Sequence, residues 1–271
     1  MMRYPMQLLL LLKTAVALQV GGIAGAGVVG FLGWAFQGVG PSPQAKALAT
    51  ANTPTKVGGG LLFGTGPPVV ALYCGAKVRR ESYAPLALAV VEQLDGSGVL
   101  VLQSPLNIYA FKPMSVAKVL EQHPSVTCIA GHSIGGLWAA EFCGDLHEAG
   151  QWPSSGLDFF YMGVHGRGVS LDKFKHLPFR NVGWSWASED CTMLRAADGD
   201  VPAYLACVRD SELPSDAKIF EVEGGNHEQY GSYGSPGPMQ GLAYKDNPAR
   251  ISEEEQCALV AKAIADIASS E

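Results

Sequence analysis

The stretch Val126-Thr127-Cys128-Ile129-Ala130-Gly131-His132-Ser133-Ile134-Gly135-Gly136 decides how this chain folds. Val126–Ala130 is a short, fully apolar run of the kind a buried strand needs, and Ile134–Cys143 has helical spacing. Ser133 therefore falls at the turn between a strand and a helix. Gly-x-Ser-x-Gly in that context puts a serine at the apex of a strained turn. The residues two before and two after the apex come close together, which accounts for Gly131 and Gly135. The turn lifts the hydroxyl above the carboxyl end of the strand. It also puts the Ile134 N–H at a helix N-terminus, where negative charge is stabilised. Ser133 is the candidate nucleophile and Ile134 a candidate oxyanion donor.

Working outward, the same alternation of short apolar runs and helical segments continues on both sides. Val69–Tyr73, Val99–Leu102, Leu157–Met162, Val182–Ala187 and Ile219–Val222 read as strands. Ser82–Leu94 (capped by Ser82), Val116–Gln122 and an amphipathic closing helix over Ile251–Ala268 read as helices. Strands alternating with helices imply a mostly parallel sheet covered on both faces, a three-layer α/β sandwich. Residues 68–271 form the catalytic domain on this reading. Residues 37–67, rich in Gly, Pro, Ala, Thr and Ser, read as a linker and the first irregular strands.

A serine nucleophile needs a base and an acid, and in this architecture the chain order is nucleophile, acid, histidine. His227 follows the last strand by five residues in Glu223-Gly224-Gly225-Asn226-His227, where a glycine-bearing loop can lean over the sheet. It is the candidate base. His123, His132, His147, His165 and His176 are read as surface, core or turn histidines. The acid should leave the penultimate strand, and Val182–Ala187 runs into Ser188-Glu189-Asp190, so Asp190 is the first choice. Glu189 is an alternative, as are Asp198, Asp200, Asp210 and Asp216 in the polar segment that follows. A second oxyanion donor is expected after an early strand, in Cys74-Gly75-Ala76-Lys77. There Ala76 offers its N–H, Gly75 allows close backbone approach and is placed in the oxyanion hole with it, and Lys77 is a substrate-binding candidate. Tyr230 and Tyr233, just past the base, are expected at the rim of the site as selectors of the acyl or alcohol group.

Of the 271 residues, 48% are hydrophobic and 16% charged, which excludes wholesale disorder and supplies a sizeable core. The net charge of −6 argues against a nucleic-acid binder that works through a basic face. The charge is unevenly spread: no acidic residue precedes Glu81, so an acidic body follows an acid-free leader. Six scattered cysteines form no Cys-x-x-Cys pair and no zinc-like cluster with histidine, so no metal site is expected. They read as small buried hydrophobes, with disulfides left open.

The leader is MMRYPMQLLLLLKTAVALQVGGIAGAGVVGFLGWAF, residues 1–36. Thr14–Phe36 is strongly polar only at Gln19 and as a helix would reach about 34 Å, enough to span a bilayer. It is expected to be a membrane anchor that leaves the catalytic domain on the non-cytoplasmic side, given Arg3 and Lys13 before it. The alternatives are a cleaved secretory signal or an organelle-targeting leader, and a helix buried in the fold.

Several blocks together resemble the α/β-hydrolase superfamily, and more closely the alpha/beta hydrolase fold-5 group related to dienelactone-hydrolase-like enzymes. They are YCGAKVRRESYAPLA at Tyr73–Ala87, SPLNIYAFKP at Ser104–Pro113, GHSIGG at Gly131–Gly136, EGGNHEQYGSYG at Glu223–Gly234 and ISEEEQ at Ile251–Gln256. The resemblance implies Ser133 as nucleophile, Asp190 as acid and His227 as base, matching the chain-order argument. Members often carry an N-terminal hydrophobic anchor. The chain departs from the group at the oxyanion loop, where the usual proline-glycine-glycine-lysine is Cys74-Gly75-Ala76-Lys77. The implied function is a serine hydrolase acting on a carboxylic ester or related acyl compound, a small-molecule substrate, through an acyl-enzyme, with no cofactor. Competing expectations are an acyltransferase with the same triad and a catalytically silent, membrane-tethered binding protein.

Overall fold

The computed structural model describes residues 38–105, 112–163, 174–233 and 246–269. The expected anchor Thr14–Phe36 and His165 lie outside the described residues. Among those described, no helix is long and apolar enough to cross a membrane.

The chain first forms α1 (Pro43–Ala51), where Ser42 caps the helix by accepting the Ala45 N–H and Pro43 opens it. β1 (Thr55–Val57) and β2 (Gly60–Phe63) follow as an antiparallel pair, and β2 pairs antiparallel with a later strand, Gly98–Leu102. Residues 38–67 thus hold the first strands, as expected, but with a helix before them in place of a linker. Their apolar residues, Leu61 and Phe63, are buried in the core, and a free linker would leave them in water.

β3 (Pro68–Tyr73) leads through a 3-10 turn (Arg80–Tyr83) into α2 (Ala84–Gln93). Ser82 lies inside that turn, fully buried, so it does not cap α2 as its position suggested. β4 (Gly98–Leu102), α3 (Val116–Gln122), β5 (Cys128–His132), α4 (Ile134–Glu148), β6 (Asp158–Met162) and β7 (Val182–Ala187) follow. The polar segment after β7 folds into α5 (Cys191–Ala197) and α6 (Val201–Ser211), and β8 (Lys218–Val222) and α7 (Glu253–Ala268) close the order. Ser252 caps α7 and three glutamates fill its first turn, where the helix dipole favours negative charge.

The eight strands run in the order β1-β2-β4-β3-β5-β6-β7-β8, parallel from β4 onward. Their side chains alternate between two cores. Val70, Leu72, Ala130, Phe160 and Met162 meet α2 and α7 on one face. Ala71, Tyr73, Ile129, Phe159 and Tyr161 meet α3, α4 and α6 on the other. This is a three-layer α/β sandwich, with a mostly parallel sheet as the alternating runs imply. All six cysteines are free, and five of them are buried.

Candidate active site

Ser133 stands between β5 and α4 with φ 52° and ψ −129°, a conformation that side-chain-bearing residues rarely hold. Glycines at both shoulders make this turn possible. A Cβ on Gly131 would meet the Gly135–Gly136 backbone, and one on Gly135 would meet the carbonyls of Tyr73 and Cys74 at the end of β3. The Ser133 N–H donates to the Met162 carbonyl at 2.9 Å, which ties the turn to the end of β6. Among the described residues no acceptor takes the N–H of Ile134 or of Ala76.

Asp190 and His227 come together although 37 residues separate them. Their strands, β7 and β8, are parallel neighbours, so both side chains leave the same end of the sheet. Asp190 Oδ2 lies 2.7 Å from His227 Nδ1, with both residues buried. The other carboxylate oxygen, Oδ1, caps α5: it accepts from Thr192 N–H (2.8 Å), Met193 N–H (3.1 Å) and the Thr192 hydroxyl (2.5 Å). One oxygen is thus held by a helix start and the other by the imidazole. Burial pushes the Asp190 carboxyl up. The His227 charge and these hydrogen bonds outweigh it and hold the pKa down at about 2. Burial likewise pushes the His227 pKa down, but the Asp190 charge and hydrogen bond, with Asp246 and Glu228 nearby, leave it raised. The pair therefore favours a carboxylate beside an imidazole that accepts protons readily.

Three of the rival acids have other places in the fold. Glu189 pairs with the exposed Arg250 at 2.7 Å, Asp200 caps α6 through the Ala203 N–H, and Asp198 ends α5. Among the other histidines, His147 packs edge-on to Trp152 and His176 is exposed in a 3-10 turn. His132 is close to the candidate base: its ring centroid is 4.6 Å from that of His227.

Two expectations are corrected, for Gly75 and for Tyr230. The Gly75 N–H donates to the Tyr83 hydroxyl at 2.8 Å, so Gly75 shapes the loop but is not an oxyanion donor. Tyr230 is not at the rim. It is 1% exposed, and its ring lies against His132 and His227 because the apolar wall behind the base takes it in. Tyr233 is half-buried and bridges to Pro41 in the segment before α1. Lys77 adopts φ 60°, its carbonyl accepts from the Val39 N–H, and burial lowers its pKa.

Four residues escaped the sequence reading: Thr192, Tyr83, His132 and Asp246. Thr192 had an indirect signal: an Asp just before a helical run is a capping residue, which places Thr192 in the first turn beside its carboxylate. Asp246 had none. Its buried carboxylate accepts the N–H of Cys191 (2.9 Å), of Glu228 (2.8 Å) and of Asn247 (3.0 Å), clamping the residue after the acid to the residue after the base.

Residues 69–151 match the model of a family described as the Alpha/beta hydrolase family. No curated protein matches the chain. Among solved structures it is similar to a thermostable esterase from Pseudomonas putida (13% identity, 85% of this chain and 91% of that one, TM-score 0.49). It is also similar to an esterase domain from Rhodothermus marinus (11% identity, 76% and 90%, TM-score 0.48). A CIB-like hydrolase from Thermoplasma acidophilum matches with 17% identity over 67% and 89%, at a TM-score of 0.43. The matched segment runs from β3 to just past the helix behind Ser133, the part of the sheet that makes the serine turn, and over these residues the chain is similar to the α/β-hydrolase family.

Proposed function

We propose that this protein is a serine hydrolase that cleaves a carboxylic ester or related acyl compound through Ser133, Asp190 and His227. The observation that carries the reading is the buried Asp190–His227 pair at 2.7 Å, at the same end of the sheet as the strained Ser133 turn. On this reading His227 takes the Ser133 proton as the oxygen attacks the acyl carbon, then delivers it to the leaving alcohol. Asp190 fixes the imidazole tautomer, with the proton on Nδ1, and stabilises the imidazolium that forms. The N–H groups of Ile134 and Ala76 face the developing oxyanion, one such donor being worth about 3–4 kcal/mol. Water then resolves the acyl-enzyme by the same proton route. The reading includes residues 14–36 as a membrane anchor, supported by their apolar sequence alone.

A fluorophosphonate probe tests the assignment, because it reacts only with an activated serine. Labelling should occur at Ser133 and disappear in Ser133→Ala, together with hydrolysis of p-nitrophenyl esters; loss of a triad member costs up to about 10⁶ in turnover. Ester turnover near wild type in that variant, with the fold intact, would end the assignment.

A further inference from the structure

The wild-type site contains a buried hydrogen-bond line that the proposed chemistry does not itself use. It starts at the turn that carries Ala76. The Gly75 N–H donates to the Tyr83 hydroxyl at 2.8 Å, and that hydroxyl lies 2.7 Å from His132 Nδ1. A phenol has one proton. With its oxygen accepting from Gly75, that proton goes to Nδ1, leaving His132 neutral with its own proton on Nε2, beside the His227 backbone. Tyr83 is 0% exposed and His132 1%, so water does not compete for either group. The His132 ring then lies against the His227 ring, centroids 4.6 Å apart at 47°. Burial, with the neighbouring His227, keeps the His132 pKa well below the usual range, so no second cation faces the base.

The loop is built around this line. A Cβ on Gly75 would stand 2.9 Å from His132 Nδ1 and 3.2 Å from the Tyr83 hydroxyl, so the glycine makes room for the pair. The next peptide is held as well: the Gly75 carbonyl accepts the Val78 N–H at 3.3 Å, and in a trans peptide the Ala76 N–H must point the opposite way.

We propose that Tyr83 and His132 are positioning residues that link the Gly75–Ala76 turn to the His227 ring and set the oxyanion donor and the base in one geometry. The proposal rests on the serine-hydrolase reading for its kinetic consequence but not for its structural one. It assigns a role to the residue between Gly131 and Ser133, and it explains why a tyrosine from a 3-10 turn is buried against the back of the site.

The test uses the full chain with Tyr83→Phe, His132→Leu and His132→Asn, and Tyr161→Phe as control. Tyr161 is equally buried, and its hydroxyl takes no hydrogen bond among the described residues. Active enzyme is counted by fluorophosphonate titration, and kcat and KM are measured on p-nitrophenyl acetate. Losing a donor outright costs about 10²–10³ in kcat, so a displaced one should cost on the order of tenfold or more. Tyr83→Phe and His132→Leu should show that loss per active site with KM little changed. His132→Asn, whose side-chain oxygen can accept from Tyr83, should recover part of it, and Tyr161→Phe should match wild type. Hydrogen exchange supplies a readout independent of turnover: the Gly75 amide should be protected in wild type and exposed in Tyr83→Phe, and the His227 ring resonances should move with it. If wild type neither labels nor turns over, the hydrolase reading falls, while amide protection and the ring shift still decide whether the link exists. Wild-type kcat per active site in Tyr83→Phe, or an unprotected Gly75 amide in the native protein, would overturn the proposal.

Discussion

At the scale of the residue, Asp190 divides its two oxygens between a helix cap and the imidazole, and this division makes it hard to replace. Asp190→Asn keeps the shape but can set an amide N–H against His227 Nδ1 and loses the charge. On the proposed mechanism turnover should fall by about 10⁴, as for the equivalent change in triad enzymes. Glu189→Gln, which loosens only an exposed pair with Arg250, should do far less. The pH profile carries the same signature. The His227 pKa is raised, and the base works only when neutral, so kcat/KM should climb with pH through a midpoint above the ordinary histidine value of about 6.5. In Asp190→Asn the largest raising influence is gone and burial acts downward, so the residual activity should climb at lower pH. An unmoved midpoint would separate Asp190 from the base.

At the scale of the element, the site depends on how the starts of short helices and turns are tied together. α5 begins at Asp190 and a 3-10 turn begins just after His227, and the Asp246 carboxylate holds the N–H groups of Cys191 and Glu228 at once. Asp246→Asn keeps one accepting oxygen and turns the other into a donor facing an N–H. An unsatisfied buried amide costs about 1–3 kcal/mol, so thermal melting should fall measurably. kcat should fall with it even below the melting range, because the acid and base segments lose their common anchor. Native melting together with native kcat would reduce Asp246 to a surface-loop residue.

At the scale of the whole molecule, the chain enters the fold between the two loops that flank the candidate site. The Val39 N–H donates to the Lys77 carbonyl at 2.5 Å, and the Arg79 N–H to the Val39 carbonyl at 3.0 Å. The Ser42 N–H donates to the Ser232 carbonyl at 3.0 Å, and the two serine hydroxyls are 2.6 Å apart. A chain beginning at Gly38 keeps all of these contacts and should fold and turn over p-nitrophenyl esters near the wild-type rate. A chain beginning at Pro43 loses them and should turn over more slowly, because both loops gain freedom. Equal rates for the two truncations would show the strap to be dispensable. Sedimentation of the full chain with membranes, and release of the chain beginning at Gly38, would support the anchor reading.

What the sequence by itself determined here is what neighbouring residues can encode. The apolar runs marked β3 to β8 to within about two residues, because burial on a two-residue or 3.6-residue period is a local property. The glycines around Ser133 announced the turn, and chain order singled out Asp190 and His227, because parallel strands deliver their loops to one end of the sheet. Only the tertiary structure decided the rest. Tyr83 meets His132 across 49 residues, Asp246 meets Cys191 across 55, and Ser42 meets Ser232 across 190. Those meetings follow from the strand order and from which groups are buried without water, so a buried N–H or hydroxyl must find its partner wherever the fold has brought one. For the same reason Gly75, which looks from its neighbours like a donor to substrate, turned its N–H inward to Tyr83.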